Sequence, residues 1–218
     1  MHYVKEGGYY AVIQRKPLLR LIVLSSKALL LSFCHLTIAL GAEILDVEIE
    51  QNGARYWLVS ETHFDAPLQE VFDTLTDYDQ LAGISKTIKE SHYLDPAEDG
   101  QQLVFTRLGA CVLFYCKTVV KVERLELDTP CRIVTTAIPE RSNVRFSRSE
   151  WSLTTEKDGG TNVVYQLEFE PGFWVPPIIG PLIIRNLLIK DGPSAVQEIE
   201  AMARRRAVAR DPDSTTAC

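Results

Sequence analysis

Three groups of side chains in this sequence have types and spacings that suit chemistry. His63 lies two residues from both Glu61 and Asp65. An imidazole beside a carboxylate is the usual equipment for proton transfer. Glu61 and His63 share one face if the segment is a strand, but Asp65 stands where a helix would begin. A solvent-facing histidine at a strand end is therefore the favoured reading. Tyr78, between Asp77 and Asp79, reads as turn chemistry after a helix. Arg107, Arg145 and Arg148 are the candidates for holding the polar head of a ligand. Strand alternation puts Arg148 in phase with Val144 and Arg145 in phase with Trp151, so one of the two is expected to face inward. A buried arginine needs a partner, which Glu150 or Glu168 would supply.

No catalytic residue is assigned. The sequence has no Ser-His-Asp set and no phosphate-binding glycine loop. No cofactor and no metal site are expected. Beyond residue 42 the histidines are His63 and His92, and the cysteines Cys111, Cys116, Cys131 and Cys218 match no zinc spacing. Cys111 and Cys116 lie five apart on what reads as one strand. They would then point to opposite faces and could not pair while it stays extended. Buried thiols are expected, with a disulfide as the alternative.

The elements that must position these residues begin after an apolar N-terminal run. ALLLSFCHLTIALGA, residues 28–42, follows Arg15, Lys16, Arg20 and Lys27 and ends in small residues. This is the layout of a secretory signal peptide, with cleavage after Gly41 or Ala42. An uncleaved anchor over Leu18 to Ala42 is the alternative. The expected location is thus the periplasm, or the membrane surface if the anchor is retained. Residues 1–42 hold five of the 23 basic side chains and one of the 29 acidic ones. The remainder is more acidic still, which excludes the usual nucleic-acid binder. Residues 43–208 suit one domain, and 209–218 read as a flexible tail.

RYWLVSETHF, residues 55–64, has strand composition. A helix follows, with Asp65 as its expected N-cap, Pro67 in the first turn, and Leu68, Val71, Phe72 and Leu75 on one face. A second short helical piece is expected near Asp79–Ile84. Runs of strand character then recur between turn signals up to Glu170. In the last run Val163, Tyr165, Leu167 and Phe169 alternate with mostly polar residues, as in a sheet covered on one face. Ile179, Leu182, Ile183 and Leu187, continued by Val196, Ile199 and Met202, form the stripe of a C-terminal helix that Gly192-Pro193 kinks or splits. Arg204, Arg205 and Arg206 close it, as the helix dipole favours.

This order is α+β: a seven-stranded antiparallel sheet, with two short helices after strand 1 and a long C-terminal helix. The chain resembles the START-like (SRPBCC, helix-grip) superfamily, in its polyketide cyclase/dehydrase and coenzyme-Q-binding branch. The resemblance rests on ETHFDAPLQEVFDTLTDYDQLAGI, on RFSRSEWSLTTEKDGGTNVVYQLEFEPGFWVPP and on IIGPLIIRNLLIKDGPSAVQEIEAMA. It implies a sheet wrapped around the C-terminal helix, leaving an apolar cavity for a lipid, quinone, sterol or polyketide. Phe105, Tyr115, Phe146, Trp151, Tyr165, Leu167, Phe169, Phe173 and Trp174 would line it from the strands and the final approach. Ile179, Leu182, Ile183 and Leu187 would face them. The aromatic pair Phe173-Trp174, before Pro176-Pro177, suits a cavity mouth with transient membrane contact. The expected function is non-catalytic binding or transport of a hydrophobic small molecule, with a cyclase- or dehydratase-like enzyme as the alternative.

Overall fold

The computed structural model describes residues 41–112, 115–175, 182 and 191–210. Eight antiparallel strands form one sheet: β1 (Glu43–Asn52), β2 (Arg55–Phe64), β3 (Ile88–Leu94), β4 (Leu103–Val112), β5 (Tyr115–Asp128), β6 (Arg132–Ala137), β7 (Val144–Thr155) and β8 (Thr161–Pro171). Their order across the sheet is β1-β2-β8-β7-β6-β5-β4-β3. The meander from β3 to β8 therefore closes onto the N-terminal hairpin, with Tyr56 opposite Phe169 and Phe64 opposite Thr161. Helix α1 (Leu68–Thr76) follows β2, a 3-10 turn spans Leu81–Gly83, and helix α2 (Gly192–Ala209) is the last described element.

The eighth strand corrects the expected count of seven. In β1, a register shift between Ile44 and Asp46 breaks the period-2 pattern by which strands are recognised. Glu43, Asp46, Glu48 and Glu50 further dilute its apolar character. Charge on an edge strand discourages pairing with another chain, which accounts for that composition.

One side of the sheet holds the core. Phe64, Val104, Leu125, Ile133, Leu153 and Val163 meet Leu68, Val71, Phe72 and Leu75 of α1 and Ile199 and Ala203 of α2. The expected stripe of α1 is thus its buried face. Val196 and Met202 pack against the same cluster, as expected for α2. Ala203 is fully buried, so the two helices approach closely.

The entry to α1 differs from expectation. Pro67 is the N-cap residue, and no side chain caps the helix. Asp65 is instead turned outward to pair with Arg204. Its backbone N–H donates to Oε2 of the buried Glu200 at 3.0 Å. The Thr161 hydroxyl donates to the Ala66 carbonyl at 2.7 Å. Long-range partners satisfy this junction, so a local capping rule misread it. The arginines of α2 likewise do more than complement its dipole. Arg206 pairs with Asp77, and Arg210 with Asp73 and Glu70, which sets the helices in register.

Gly160, just before β8, allows a close backbone approach. A Cβ there would sit 2.8 Å from His63 Cε1 and 2.9 Å from the Phe64 carbonyl oxygen. The imidazole can move aside, but the carbonyl belongs to a paired strand. Gly160→Ala is expected to destabilise the domain by about 1–3 kcal/mol in urea unfolding. A variant within about 0.5 kcal/mol of wild type would mean the strand end yields freely.

Candidate functional site

Cross-strand register assigns the two faces of the sheet. Val163 lies in the core and sits opposite Leu153 on β7 and Thr62 on β2. Every second residue from there shares the inner face: Tyr165, Leu167 and Phe169 on β8, Trp151, Ser149 and Ser147 on β7, and Ser60, Leu58 and Tyr56 on β2. Trp151, Tyr165, Leu167 and Phe169 are each only partly buried, in contrast to Leu153 and Val163 below them. The Trp151 and Tyr165 rings are tilted against each other with centroids 4.0 Å apart. The inner face thus passes from a closed core into a partly open apolar and aromatic surface.

A buried polar network lies between those two zones. Glu123 on β5 is 2% exposed. Its carboxylate accepts from Lys121 Nζ at 2.8 Å, from the Thr106 hydroxyl at 3.0 Å and from the Thr135 hydroxyl at 3.1 Å. The Thr135 and Ser149 hydroxyls are 2.8 Å apart. Burial, then the negative charge of Glu123, pushes the Tyr165 phenol well above the usual range, and the neighbouring Ser149 hydroxyl only partly opposes this. The same two causes, burial first, raise Tyr78, which packs edge-on to Tyr93 in the core.

A phenol raised in the fold contributes stability that is fully present below the unfolded value, about pH 10, and lost as pH climbs toward the raised one. Tyr78 and Tyr165 are therefore expected to stay protonated when the exposed phenols ionise. In an absorbance titration at 295 nm, part of the tyrosinate signal should appear only with alkaline unfolding. All phenols titrating together near pH 10 in the folded protein would contradict this.

The arginines expected to hold a polar head lie elsewhere, and this expectation is corrected. A register shift between Val144 and Phe146 resets the alternation of β7, so neither Arg145 nor Arg148 points inward. Arg148 pairs with Glu150 at 3.2 Å, and Arg145 stands 3.6 Å from Glu170. Arg107 pairs with Glu90 at 2.8 Å on the outer face of β4. Phe105 and Phe146 are also on the outer face. Phe105 stacks on His92 with 4.8 Å between centroids, and the Arg55 guanidinium lies 4.7 Å over Phe146. Neither ring lines the interior.

Other expected residues fall around the rim. Tyr115 opens β5 opposite Val112, and its side chain lies outside the described set. Lys117 holds its ammonium 5.4 Å from the Phe173 ring, and Trp174 is 74% exposed. Leu182 is half exposed. Ile179, Ile183 and Leu187 lie outside the described residues. Cys111 and Cys116 form a disulfide, which corrects the expectation of thiols. The chain reverses between them, so they are cross-strand partners instead of neighbours on one strand.

His63 does not meet the partners its spacing suggested. Its Nδ1 is 3.2 Å from Glu156, while Glu61 accepts from Asn162 and Asp65 pairs with Arg204. His63, Glu156 and Asp158 bring ligand-type atoms within 4.8 Å of one another at the β7–β8 turn. That arrangement is a histidine–carboxylate contact at the rim beside an exposed carboxylate, and it lies away from the inner face.

Sequence reasoning missed Lys121 and Glu123. On β5 the aliphatic Val120 and Val122 face outward while Lys121, Glu123 and Leu125 face inward, the reverse of ordinary amphipathic patterning. The legible signal was that both charges are in phase with Leu125.

Comparison with known proteins agrees with this geometry. The family described as polyketide cyclase / dehydrase and lipid transport matches residues 57–199. A STAR-related lipid transfer protein from Xanthomonas axonopodis superposes with a TM-score of 0.55 at 17% identity, covering 74% of this chain and 94% of that one. The Zhui aromatase/cyclase from Streptomyces sp. R1128 gives 0.53 at 16% identity, covering 74% and 99%. A START superfamily protein from Mycobacterium smegmatis gives 0.54 at 12% identity, covering 69% and 98%. At such identities the likeness is one of fold. No curated protein matches the chain.

Proposed function

Because the chain belongs to the polyketide cyclase/dehydrase and lipid transport family, we propose that it is a non-catalytic carrier of a hydrophobic small molecule of the lipid or quinone kind. The ligand rests on the inner face of the sheet. The observation that carries this reading is the partly open surface of Trp151, Tyr165, Leu167 and Phe169, directly beyond a closed core. Mostly apolar concave surface with a few convergent polar groups is what ligand sites consist of.

The alternative, a cyclase- or dehydratase-like enzyme, would need an acid or base among the inward groups. Glu123 already accepts three hydrogen bonds, and the Tyr165 phenol is pushed far from neutral pH. Efficient general acid–base groups titrate near the working pH, so these groups suit holding a ligand better than moving its protons.

The carrier works outside the cytoplasm, with residues 1–42 as its export signal. The Cys111–Cys116 disulfide supports that placement, since such bonds persist in oxidising compartments. Ligand exchange takes place at a lipid surface through Trp174, whose indole is exposed beside the Lys117–Phe173 pair. Among the described residues no helix is long and apolar enough to cross a membrane.

Organic extraction of the purified protein followed by mass spectrometry tests the reading. A near-stoichiometric apolar molecule is expected. An extract with nothing apolar, from protein that also fails to take up lipid from vesicles, would sink it.

A further inference from the structure

The turn between β7 and β8 gathers three side chains of metal-ligand type on the outer face of the sheet. Phe64 lies in the core, so His63 beside it points to the outer face, as does its cross-strand partner Asn162. Glu156 and Asp158 come from the turn itself, between Thr155 and Thr161. One donor atom from each of His63, Glu156 and Asp158 lies within 4.8 Å of the others.

The backbone holds these groups in place. The Glu156 N–H donates to the Gly160 carbonyl at 2.9 Å, and the Gly159 N–H to the Glu156 carbonyl at 3.1 Å. The Gly160 N–H donates to one carboxylate oxygen of Asp158 at 3.0 Å, which leaves the other oxygen available. The imidazole rests against the same backbone, since a Cβ on Gly160 would stand 2.8 Å from His63 Cε1. His63 Nδ1 is 3.2 Å from Glu156. Donors bonded to a tetrahedral zinc at about 2.0–2.2 Å stand about 3.3–3.5 Å apart, so this edge already fits. The exposed Asp158 completes the set by side-chain rotation.

Two further observations point to a cation. Neither Glu156 nor Asp158 pairs with a lysine or arginine among the described residues, whereas Glu150, Glu168 and Glu170 each hold an arginine. With a neutral imidazole the group carries two negative charges, which one divalent ion balances. Asn162 gives the second sign. Its Nδ2 donates to Glu61 at 2.8 Å, but its Oδ1 is buried with no hydrogen-bond partner among the described residues. Buried amide oxygens are normally satisfied, and a water held on an ion at His63 would donate to this one.

We propose that His63, Glu156 and Asp158 bind one divalent transition-metal ion of the zinc class, with water in the remaining position. The imidazole nitrogen selects such ions over magnesium and calcium, which prefer oxygen ligands throughout. The bound ion clamps the β7–β8 turn to the end of β2. The site is separate from the apolar inner face, so it stands or falls independently of the carrier reading.

The test is isothermal titration of the untagged, EDTA-stripped full chain with zinc chloride, with cobalt(II) chloride as a visible-absorption probe. One equivalent of zinc is expected, and cobalt should show the d–d bands of an ordered site. Removing a ligand costs at least the roughly 10–100-fold that loss of its supporting group does. His63→Ala and Glu156→Gln should therefore each weaken zinc binding by more than about tenfold and abolish the cobalt bands. They lie on different segments, so failure of one to fold leaves the other as the test. His92→Ala, which removes a ring stacked on Phe105, should bind zinc as wild type does. A roughly 100-fold excess of magnesium should not displace the zinc. Absence of uptake by the wild type would reduce the site to a histidine–carboxylate contact. Uptake that survives both substitutions, or that magnesium displaces, would equally overturn it, since surface carboxylates alone would then hold the ion.

Discussion

Truncating Phe72 to alanine is expected to lower the stability of the domain by about 3–5 kcal/mol. Phe72 is 3% exposed and belongs to the cluster in which α1 meets both α2 and the sheet. Three elements converge on it, so the vacated volume cannot collapse without moving one of them. The lost ring contacts and the residual cavity then add. Phe105→Ala is the control, because that ring lies on the outer face against His92 and outside the core cluster. Its cost should stay below about 1.5 kcal/mol, as for one partly exposed aromatic contact. Both are read from denaturant midpoints at unchanged m-value. If the two variants lost similar stability, the division of the sheet into a core face and an outer face would be wrong.

Replacing Glu123 with leucine is expected to cost a similar amount, about 3–5 kcal/mol, for an electrostatic reason. The ammonium of Lys121, whose side chain is 12% exposed, would lose its partner, and Thr106 and Thr135 would lose their acceptor. The double variant Lys121→Met/Glu123→Leu removes both charges together. It should recover most of the loss, since two apolar groups of similar volume carry no buried charge. A double variant as unstable as the single one would show that shape, not charge, makes Glu123 necessary. Arg107 and Glu90 provide the contrast. Their pair is about half exposed, and its removal should leave stability within about 1 kcal/mol.

Together these variants bear on why a carrier would keep a buried ion pair at all. Such a pair seldom stabilises a fold relative to apolar residues. Its retention next to the hydroxyls of Thr106, Thr135 and Ser149 makes sense if it orients them, because one carboxylate then dictates which oxygen donates and which accepts.

Several features were legible because their causes are local. The α1 stripe of Leu68, Val71, Phe72 and Leu75 is a matter of helical spacing, and all four residues are buried. The alternation of Val163, Tyr165, Leu167 and Phe169 marks one face without any knowledge of its partners, and that face does meet the core side. The turn signals between strands announced the meander. The resemblance to a helix-grip fold followed from that order, and the large antiparallel sheet with a C-terminal helix bears it out, with eight strands instead of seven and a 3-10 turn in place of the second short helix.

What the sequence could not disclose depends on partners far along the chain. A register shift between Val144 and Phe146 sends Arg145 and Arg148 outward, because one residue of slip turns a strand over. Cys111 and Cys116 were judged as points on one strand, but chain reversal makes them partners. Asp65 read as a cap until Arg204 and Glu200 were brought to it from the other end of the chain. The inward charges of β5 are the sharpest case. By itself Lys121-Val122-Glu123 reads as a solvated face, because an isolated charge is expensive to bury. Folding places Thr106, Thr135 and each other within reach of those charges, and that local pairing makes the inward orientation tolerable. Composition and periodicity thus determined the fold class, the core of α1 and the apolar side of the last strand. The polar centre of the inner face was decided only by tertiary pairing, because hydrogen bonds between strands 12 to 17 residues apart have no signature in local spacing.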